Sequence, residues 1–376
     1  MRHAFVRSAL IGVVGTATAL PLLAAGTASA ATSTVYVSPS GSAGGADHSC
    51  ASAAYQSVQA AVGAVPAGGT VIVCAGTYHE SVTVTKPIRL EGRRGATIDA
   101  AGDSYGVGVA APYVTVSGLT VENASVGGTL ADGIVTAGRV NGIMVPASHV
   151  TITGNVTKDN AGSGIDLNST SGSAAYGNRS AGNAVGINVS DDFGQPAAHN
   201  QVSGNVTSDN PGGCGIALAD HTGKGIFGNV VTRNVSDDNG LGTPSAPNAS
   251  AGSGVILAAP AAGGVYDNVV AGNTFDGNGH AGFDVHAHAP GLNFSGNVVT
   301  GNQIGVNNLR TSEGDPDTTG IYLGDASPLA ITVAGNVISG DHFGIFAAGG
   351  PVTVDGGQHN DFRHVAVDSA STPAFS

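Results

Sequence analysis

Gly164-Ile165-Asp166-Leu167 is followed by Gly186-Ile187-Asn188-Val189 and then by Gly215-Ile216-Ala217-Leu218, at intervals of 22 and 29 residues. The phrase consists of a glycine, an apolar residue, any residue and a small or apolar residue. Further copies begin at Gly142, Gly254, Gly282, Gly320 and Gly344. A unit that recurs at intervals of about 20 to 50 residues is the sequence mark of a repeat architecture such as a solenoid.

Each copy of the phrase is predicted to be one β-strand. Strand side chains alternate between the two faces, so the two aliphatic residues of a copy face inward and the middle residue faces solvent. Little helix-forming sequence lies between the copies, which excludes a helix-pair repeat. One copy therefore marks one coil of a β-solenoid, and the coils gain stability by stacking.

Asparagines spaced five residues apart follow most of the phrases. The pairs are Asn155/Asn160, Asn178/Asn183, Asn205/Asn210, Asn229/Asn234, Asn268/Asn273 and Asn297/Asn302. Asparagine and glycine supply the backbone conformations of sharp corners, and an asparagine at one corner can hydrogen-bond its copy on the next coil. The alternative, a β-sandwich, gives turn signals without one phrase that recurs in register.

The sequence before residue 100 differs from these repeats. A helix is predicted from about Tyr55 to Val65, with Val58, Ala61 and Val62 on one face, and it would cover the open end of the stack. The run from Cys74-Ala75-Gly76-Thr77-Tyr78 to Ile98-Asp99 resembles the first coils of the pectin-lyase-like superfamily. The later phrases resemble the repeat region of many secreted bacterial members.

The resemblance covers roughly residues 35–360 and implies an all-β fold, a single-stranded right-handed parallel β-helix with an N-terminal capping helix. It does not imply one activity, because the superfamily includes lyases, glycosidases, esterases, epimerases, adhesins and tailspikes. The predicted organisation is a signal peptide at 1–30, a cap with the first coils at 31–99, repeats at 100–365 and a C-terminal tail at 366–376.

Residues 1–30 have the pattern of a secretory signal. Arg2 and Arg7 precede an apolar stretch, and Ala28-Ser29-Ala30 is a small-residue cleavage site. The stretch is interrupted by Gly12, Gly15 and Pro21, whereas a membrane anchor needs about 18 or more consecutive apolar residues. The expected location is therefore extracellular, and no membrane insertion is expected.

Charge limits the partners. Without residues 1–30 the chain has 11 basic and 26 acidic residues, a net charge of −15. Such a surface repels nucleic acid and polyuronates unless a divalent cation intervenes. The expected partner is an extracellular polysaccharide, with calcium or another divalent cation as a candidate cofactor, no nucleic acid as a partner, and a monomeric protein.

Three cysteines are present, Cys50, Cys74 and Cys214. In an exported protein Cys50 and Cys74 are predicted to form a disulfide, because one precedes the cap helix and the other ends an early strand. Cys214, between two glycines, is predicted to be a small buried residue.

Alignment of the phrases places polar residues of neighbouring coils above one another. The first cluster contains Asp191, Asp192, Asp220 and His221, and two carboxylates on adjacent coils suit the acid and base of a glycosidase. The alternative is that aspartates at corners cap backbone N–H groups.

The order of these residues is similar to that in the polygalacturonase family, in which an Asp, an Asp-Asp pair and a Gly-His-Gly occupy successive coils. Asp166, Asp191-Asp192 and His221 follow that order. The third motif departs from the family, since it reads Ala219-Asp220-His221-Thr222-Gly223 and no Arg-x-Lys follows.

The second cluster contains Asp284, His286 and His288, with His280 nearby. Alternate residues of a strand share a face, so the three suit a general base beside a charge neutraliser, as in β-elimination or epimerisation of uronates, or else a metal site. The alternative is a solvated polar edge. Two long insertions, near 240–252 and 307–318, flank this coil and indicate the working face.

Three functions remain open on the sequence. The first is a secreted glycoside hydrolase or a polysaccharide lyase or epimerase, with Asp191, Asp192, Asp220, His221, Asp284, His286 and His288 as catalytic candidates. The second is a non-catalytic glycan-binding module. The third is metal handling, since similar repeats occur in periplasmic copper-processing β-helix proteins.

Overall fold

Three long parallel sheets run the length of the molecule in the computed structural model. It describes residues 33–42, 47–127, 131–242, 251–260, 263–310, 317–325, 329–350 and 352–371. The predicted signal peptide and most of both predicted insertions, 243–250 and 311–316, lie outside these ranges. No helix among the described residues is long and apolar enough to cross a membrane.

The chain visits the first, second and third sheets in turn, so that one circuit is one coil of a parallel β-helix. The first sheet contains β1 Thr34–Val37, β2 Thr70–Val73, β5 Arg89–Gly92, β8 Thr115–Ser117, β13 Thr151–Thr153, β16 Ala174–Tyr176, β20 Gln201–Ser203, β24 Val230–Thr232, β28 Val269–Ala271, β31 Val298–Thr300, β34 Leu329–Ala334 and β37 Val352–Asp355. The second contains β3 Gly76–His79, β6 Ala96–Asp99, β9 Thr120–Glu122, β14 Val156–Lys158, β17 Arg179–Ala181, β21 Val206–Ser208, β25 Val235–Asp237, β29 Thr274–Asp276, β32 Gln303–Ile304, β35 Val337–Ser339 and β38 Asp361–Arg363.

The third sheet contains the repeated phrases. Its strands are β4 Val82–Val84, β7 Tyr105–Val109, β10 Asp132–Val135, β15 Ser163–Asn168, β18 Val185–Ser190, β22 Ile216–Ala219, β26 Val255–Ala259, β30 Phe283–Ala287, β33 Thr319–Asp325, β36 Phe343–Gly349 and β39 Val367–Ser371. A short corner sheet adds β19 Ala197–Ala198, β23 Ile226–Phe227 and β27 Val265–Tyr266, and a hairpin is formed by β11 Ala137–Val140 and β12 Ile143–Pro146. The stacked strands thus continue past the boundary predicted at residue 365.

Aliphatic side chains from all three sheets fill the interior. Ile165 and Leu167 are fully buried and pair in register with Ile187 and Val189 on the next coil. Apolar and polar residues alternate in the same way along the stack. A shift of one residue in the pairing of two strands would turn the apolar side chains to the outer face, so the register is fixed. The predicted solenoid is therefore confirmed, and its core is one continuous cluster.

A short helix, α1 Val58–Ala64, covers the N-terminal end and buries Val58, Ala61 and Val62. It begins later than the predicted Tyr55, because Ser57 is extended and caps it by accepting from the Ala60 N–H. Two 3₁₀ turns, Cys50–Ser52 and Gly357–His359, complete the helical elements that the described residues contain.

The predicted disulfide is confirmed: Cys50 and Cys74 are bonded at 2.03 Å. It joins the 3₁₀ turn before the cap helix to the end of β2, so the cap is covalently tied to the first full coil. Cys214 is buried, as predicted, and is a free thiol.

Asparagines form hydrogen-bonded ladders at the corners. Asn155, Asn178, Asn205, Asn234, Asn273, Asn302, Asn336 and Asn360 form one ladder, and Asn160, Asn183, Asn210, Asn239, Asn278 and Asn307 form another. A third joins Asn200, Asn229, Asn268 and Asn297. The pairs Asn229/Asn234, Asn268/Asn273 and Asn297/Asn302 therefore flank the first sheet, whereas the earlier pairs flank the second. The six pairs thus do not all lie at equivalent corners.

Replacement of Asn205 by alanine is expected to lower the free energy of unfolding by about 2–4 kcal/mol. Its Nδ2 donates to the Ala175 carbonyl and to Asn234 Oδ1, and its Oδ1 accepts from the Asn178 N–H and Nδ2, at 2.9–3.0 Å. All four groups are buried and lose partners. Urea unfolding measures the free energy of each variant, and Asn293→Ala at an exposed position is the control. Equal losses of stability in the two variants would contradict the prediction.

One copy of the phrase does not form a strand of the stack, so the prediction for it is wrong. Gly142-Ile143-Met144-Val145 lies in the hairpin, where β12 pairs antiparallel with β11 and Ile143 is 70% exposed. The strand that belongs to the stack at this level is β10, in which Gly133-Ile134-Val135 pairs with β15. The correction matters because Asp132 immediately precedes Gly133 and reaches the functional face.

Candidate functional site

The third sheet brings Asp166, Asp192 and His221 together on three successive coils. Asp166 is the middle residue of its phrase in β15, and Asp192 and His221 follow β18 and β22 at equivalent positions. The prediction that the middle residue faces solvent is wrong for Asp166, whose exposure is 1%. Its carboxylate points away from the apolar core but is covered by polar side chains of the neighbouring coils.

Asn168 joins the two carboxylates. Its Nδ2 donates to Asp166 Oδ2 at 2.8 Å and to Asp192 Oδ2 at 2.9 Å. Those two oxygens are consequently at most about 6 Å apart. Ser190 Oγ donates to Asp166 Oδ1 at 3.0 Å, and His221 Nδ1 lies 2.8 Å from Asp192 Oδ1.

The two carboxyl groups differ in protonation. Burial, reinforced by the charge of Asp192, raises the pKa of Asp166 to about 7 despite the hydrogen bonds from Asn168 and Ser190. Burial also acts on Asp192, but the hydrogen bond and charge of His221 lower the pKa of that carboxyl overall. The hydrogen bond to Asp192 in turn raises the pKa of His221. Below about pH 7 Asp166 therefore holds its proton, whereas Asp192 is anionic.

These residues line a cavity of about 230 Å³. Gly162, Ser163, Ala184, Val185, Asn188, Ala217 and Ala219 complete its wall. Small residues on the adjacent strands leave the space open, and the volume suits one sugar ring. None of these lining residues is lysine or arginine, so the only charges at the cavity are those of the Asp166, Asp192 and His221 group.

Asp191 and Asp220 have a different environment. The Asp191 carboxylate accepts from the backbone N–H groups of His221, Thr222 and Lys224 and from the Thr222 hydroxyl, at 2.7–3.2 Å. Burial raises its pKa, but these hydrogen bonds lower it overall. Asp220 accepts from the N–H groups of Gly223 and Gly264. Both side chains cap backbone at the corner that positions His221.

Asp132 is a functional candidate that the sequence did not suggest. It is buried, accepts from the Ser163 N–H at 2.8 Å, and has a pKa raised well above the ordinary value by burial and by the charge of Asp166. Asp166 follows the polygalacturonase-like order of motifs, but it is not among the catalytic candidates that the sequence indicates. The position of each residue in the aligned coils could have indicated both. For Asp132 the alignment fails, because it places the phrase at Gly142, rather than Gly133-Ile134-Val135, as the strand of that coil.

The second predicted cluster also assembles, around Asp284. His280 Nδ1 and Ser253 Oγ lie 2.8 and 2.7 Å from Asp284 Oδ2, and His286 Nε2 lies 3.2 Å from Oδ1. Asp284 is 1% exposed, so here too the middle residue does not face solvent. His288 contacts this group through His286, with ring centroids 5.4 Å apart. His280, which lies in the turn before β30, is the carboxylate's nearest histidine.

Aromatic rings continue from this cluster along the same face. Tyr322 lies 5.5 Å from the His286 ring and stacks on Phe346 at 6.1 Å, and Phe346 contacts Phe343 at 5.1 Å. Register explains the row, because Asp284, Tyr322 and Phe346 are successive middle residues of the phrase. The two clusters are separated by β26 and occupy one face of the third sheet.

Comparison with known proteins gives a consistent fold. The family model described as NosD, periplasmic copper-binding protein, matches residues 73–243. The structure of pectate lyase Pel9A is 18% identical, with a TM-score of 0.54, and the match covers 92% of this chain and 82% of that one. GH136 lacto-N-biosidase from Eubacterium ramulus is 13% identical, with a TM-score of 0.55 and coverage of 90% and 67%. PfbA, a surface adhesin of Streptococcus pneumoniae, is 17% identical, with a TM-score of 0.50 and coverage of 82% and 85%.

The chain is a right-handed parallel β-helix. No curated protein matches this β-helix by sequence. Because a lyase, a glycosidase and an adhesin share its fold, function has to be argued from the site.

The segment that matches the copper-binding family model, residues 73–243, does not contain the group of side chains that could hold a metal ion. In the part of the β-helix that the structure describes, three side chains of ligand type come within 4.8 Å of one another at His280, Asp284 and His286. All three lie beyond residue 243. The matched segment contains instead the cavity with Asp166, Asp192 and His221.

Proposed function

We propose that this β-helix is an exported glycoside hydrolase that cleaves a neutral glycan, with Asp166 as general acid and Asp192 as its anionic partner. One observation carries the proposal: two carboxyl groups joined through Asn168 have pKa values displaced in opposite directions at the wall of a cavity. Such a pair assigns the acid and the anion of a glycosidase.

The spacing favours a retaining mechanism. Carboxyl groups about 5 to 5.5 Å apart leave no room for a water between them and the sugar, whereas inverting enzymes need more than about 6.5 Å. Asp166 donates its proton to the glycosidic oxygen while that oxygen leaves the anomeric carbon. An oxygen of Asp192 then bonds to the same carbon. Water, activated by the Asp166 carboxylate, displaces Asp192 in the second step.

His221 is a positioning residue in this scheme. Its Nδ1 fixes Asp192, and the corner that holds it is fixed by Asp191 and Asp220. Of the seven catalytic candidates from the sequence, Asp192 and His221 therefore act at the cavity, and Asp191 and Asp220 support them. Asp284, His286 and His288 belong to the second cluster.

The acidic net charge of the chain and the lack of basic residues at the cavity favour a neutral substrate. The chain has a net charge of −13, and the residues that line the cavity include neither lysine nor arginine. An anionic polyuronate would be repelled, and its elimination or epimerisation needs a cation to neutralise the carboxylate. A lyase or epimerase would therefore require a divalent cation such as calcium at this site.

Export is part of the proposal. The disulfide between Cys50 and Cys74 requires an oxidising compartment, and residues 1–30 have the pattern of a secretory signal. The family model that matches is described as periplasmic. Extracellular or periplasmic glycans are the substrates such a location offers, and we expect the protein to act as a monomer.

The aromatic row favours a second candidate, a glycan-binding module without catalysis. Tyr322 and Phe343 are partly exposed rings that both contact the buried Phe346, and sugars stack on exposed aromatic rings. The two candidates differ in one outcome, since a module binds glycans but releases no products.

Incubation of the purified protein with a panel of neutral and uronic glycans, with and without calcium, is expected to release reducing ends from a neutral member. The anomeric configuration of the first product should be retained by NMR. The rate should fall as pH rises through about 7, because Asp166 acts in its protonated form and loses that proton there. Cleavage confined to uronates, or products with a new double bond, would contradict the proposal, as would binding without turnover.

A further inference from the structure

A second polar centre is built into the third sheet, two strands away from the cavity. Asp284 and His286 alternate on β30 and so share a face, and His280 comes from the turn before that strand. The side chains of Asp284 and His280 are 1% and 4% exposed, and that of His286 is 31% exposed. Two imidazoles and a carboxylate therefore meet below the surface, and His286 is the most exposed of the three.

The distances match those between ligands of one metal ion. His280 Nδ1 and Asp284 Oδ2 are 2.8 Å apart, and His286 Nε2 and Asp284 Oδ1 are 3.2 Å apart. Two ligand atoms bound at about 2.0–2.1 Å to a tetrahedral ion are separated by roughly 3.3 Å. One ligand atom from each residue already lies within 4.8 Å of the others. The two contacts of the Asp284 carboxylate thus differ from that separation by about half an ångström or less.

Asp284 Oδ1 gives an independent sign of a missing partner. It is a buried carboxylate oxygen without a hydrogen bond, because the 3.2 Å approach of His286 Nε2 does not have hydrogen-bond geometry. Asp284 Oδ2, in contrast, accepts from Ser253 Oγ at 2.7 Å. Buried polar atoms are satisfied in the great majority of cases, so an unpartnered carboxylate oxygen 3.2 Å from an imidazole nitrogen points to a cation.

The geometry points to a binding site for a divalent transition-metal ion of the zinc class, with His280, Asp284 and His286 as protein ligands. Imidazole and carboxylate together suit zinc and its neighbours, whereas calcium prefers six to eight oxygen ligands. Three protein ligands leave a coordination position for water or a substrate oxygen, as in catalytic zinc sites. The Ser253 hydroxyl donates a hydrogen bond to Asp284 and orients its carboxylate.

Isothermal titration of the full chain with zinc chloride tests the site. Wild-type protein should bind one zinc ion saturably, and His286→Ala should weaken that binding at least about tenfold. Asp284→Asn should do the same. Exposed His364 provides the matched control, since His364→Asn also removes an imidazole and should leave the affinity unchanged.

A second measurement separates loss of the ligand from loss of the fold. Co²⁺ in place of zinc should give a visible d–d spectrum that His286→Ala changes, while circular dichroism of that variant remains that of the wild type, because His286 is partly exposed. Calcium should not compete for the site. Absence of saturable zinc binding by the wild type, or equal zinc affinity in His286→Ala and His364→Asn, would overturn the inference.

Discussion

Asp166→Asn is expected to lower kcat/KM on the cleaved glycan by about 10³-fold, with little change in stability. The amide has the shape of the carboxylic acid but has no proton to give to the glycosidic oxygen. Asp166 is buried and has a pKa raised to about 7. The carboxyl is therefore neutral below about pH 7, and replacing it by a neutral amide costs the fold little.

The sign of the stability effect can be checked against pH. A carboxyl whose folded pKa is raised above its unfolded value favours the folded state at low pH, and this contribution is lost as pH rises through about 7. Asp166→Asn should consequently be as stable as the wild type at low pH, and at least as stable at neutral and alkaline pH. Thermal unfolding across this range measures it.

Asp237 offers a matched control for the kinetic result. It lies on the second sheet, away from the cavity, and burial raises its pKa to about 6. Asp237→Asn removes a carboxyl of similar character and should retain full activity. Activity of Asp166→Asn within about twofold of the wild type would place the general acid elsewhere.

The fold was predictable because its determinants are periodic. Inward pairs such as Ile165 and Leu167 recur in register, and each asparagine hydrogen-bonds its copy on the next coil. The errors came where a local phrase fits two structures. Gly142-Ile143-Met144-Val145 satisfies the pattern of a coil strand, but an antiparallel partner at Ala137–Val140 makes it a hairpin. Only the partner decides between the two.

The candidate site was predictable in part. Asp192 and His221 occupy equivalent positions on neighbouring coils, so the alignment alone brought them together. The burial of Asp166 was not predictable, because the residues that cover it, Asn168 and Ser190, are themselves outward-facing polar residues. The alternation of side chains along a strand predicts which face of the sheet a residue lies on. It does not predict whether side chains of neighbouring coils cover that residue.

Asp191→Ala is expected to lower the free energy of unfolding by about 3–4 kcal/mol, because a buried carboxylate that accepts several charge-assisted hydrogen bonds is removed. Its partners are the backbone N–H groups of His221, Thr222 and Lys224 and the Thr222 hydroxyl. Asp192→Ala, one residue along, should cost about 1 kcal/mol or less, since its carboxylate is partly exposed and pairs with an exposed His221. Urea unfolding of the two variants measures the difference.

The effects on turnover should have the reverse order: Asp192→Ala should cost more activity than Asp191→Ala, although it costs less stability. Asp192→Ala is expected to abolish turnover in a folded protein, because the anion that bonds to the anomeric carbon is gone. Asp191→Ala should reduce turnover through the corner that carries His221, and the loss should be partly restored at low temperature, where the corner re-forms. If Asp191→Ala proved as stable as the wild type yet inactive, the aspartate that caps the corner would be the one that reacts.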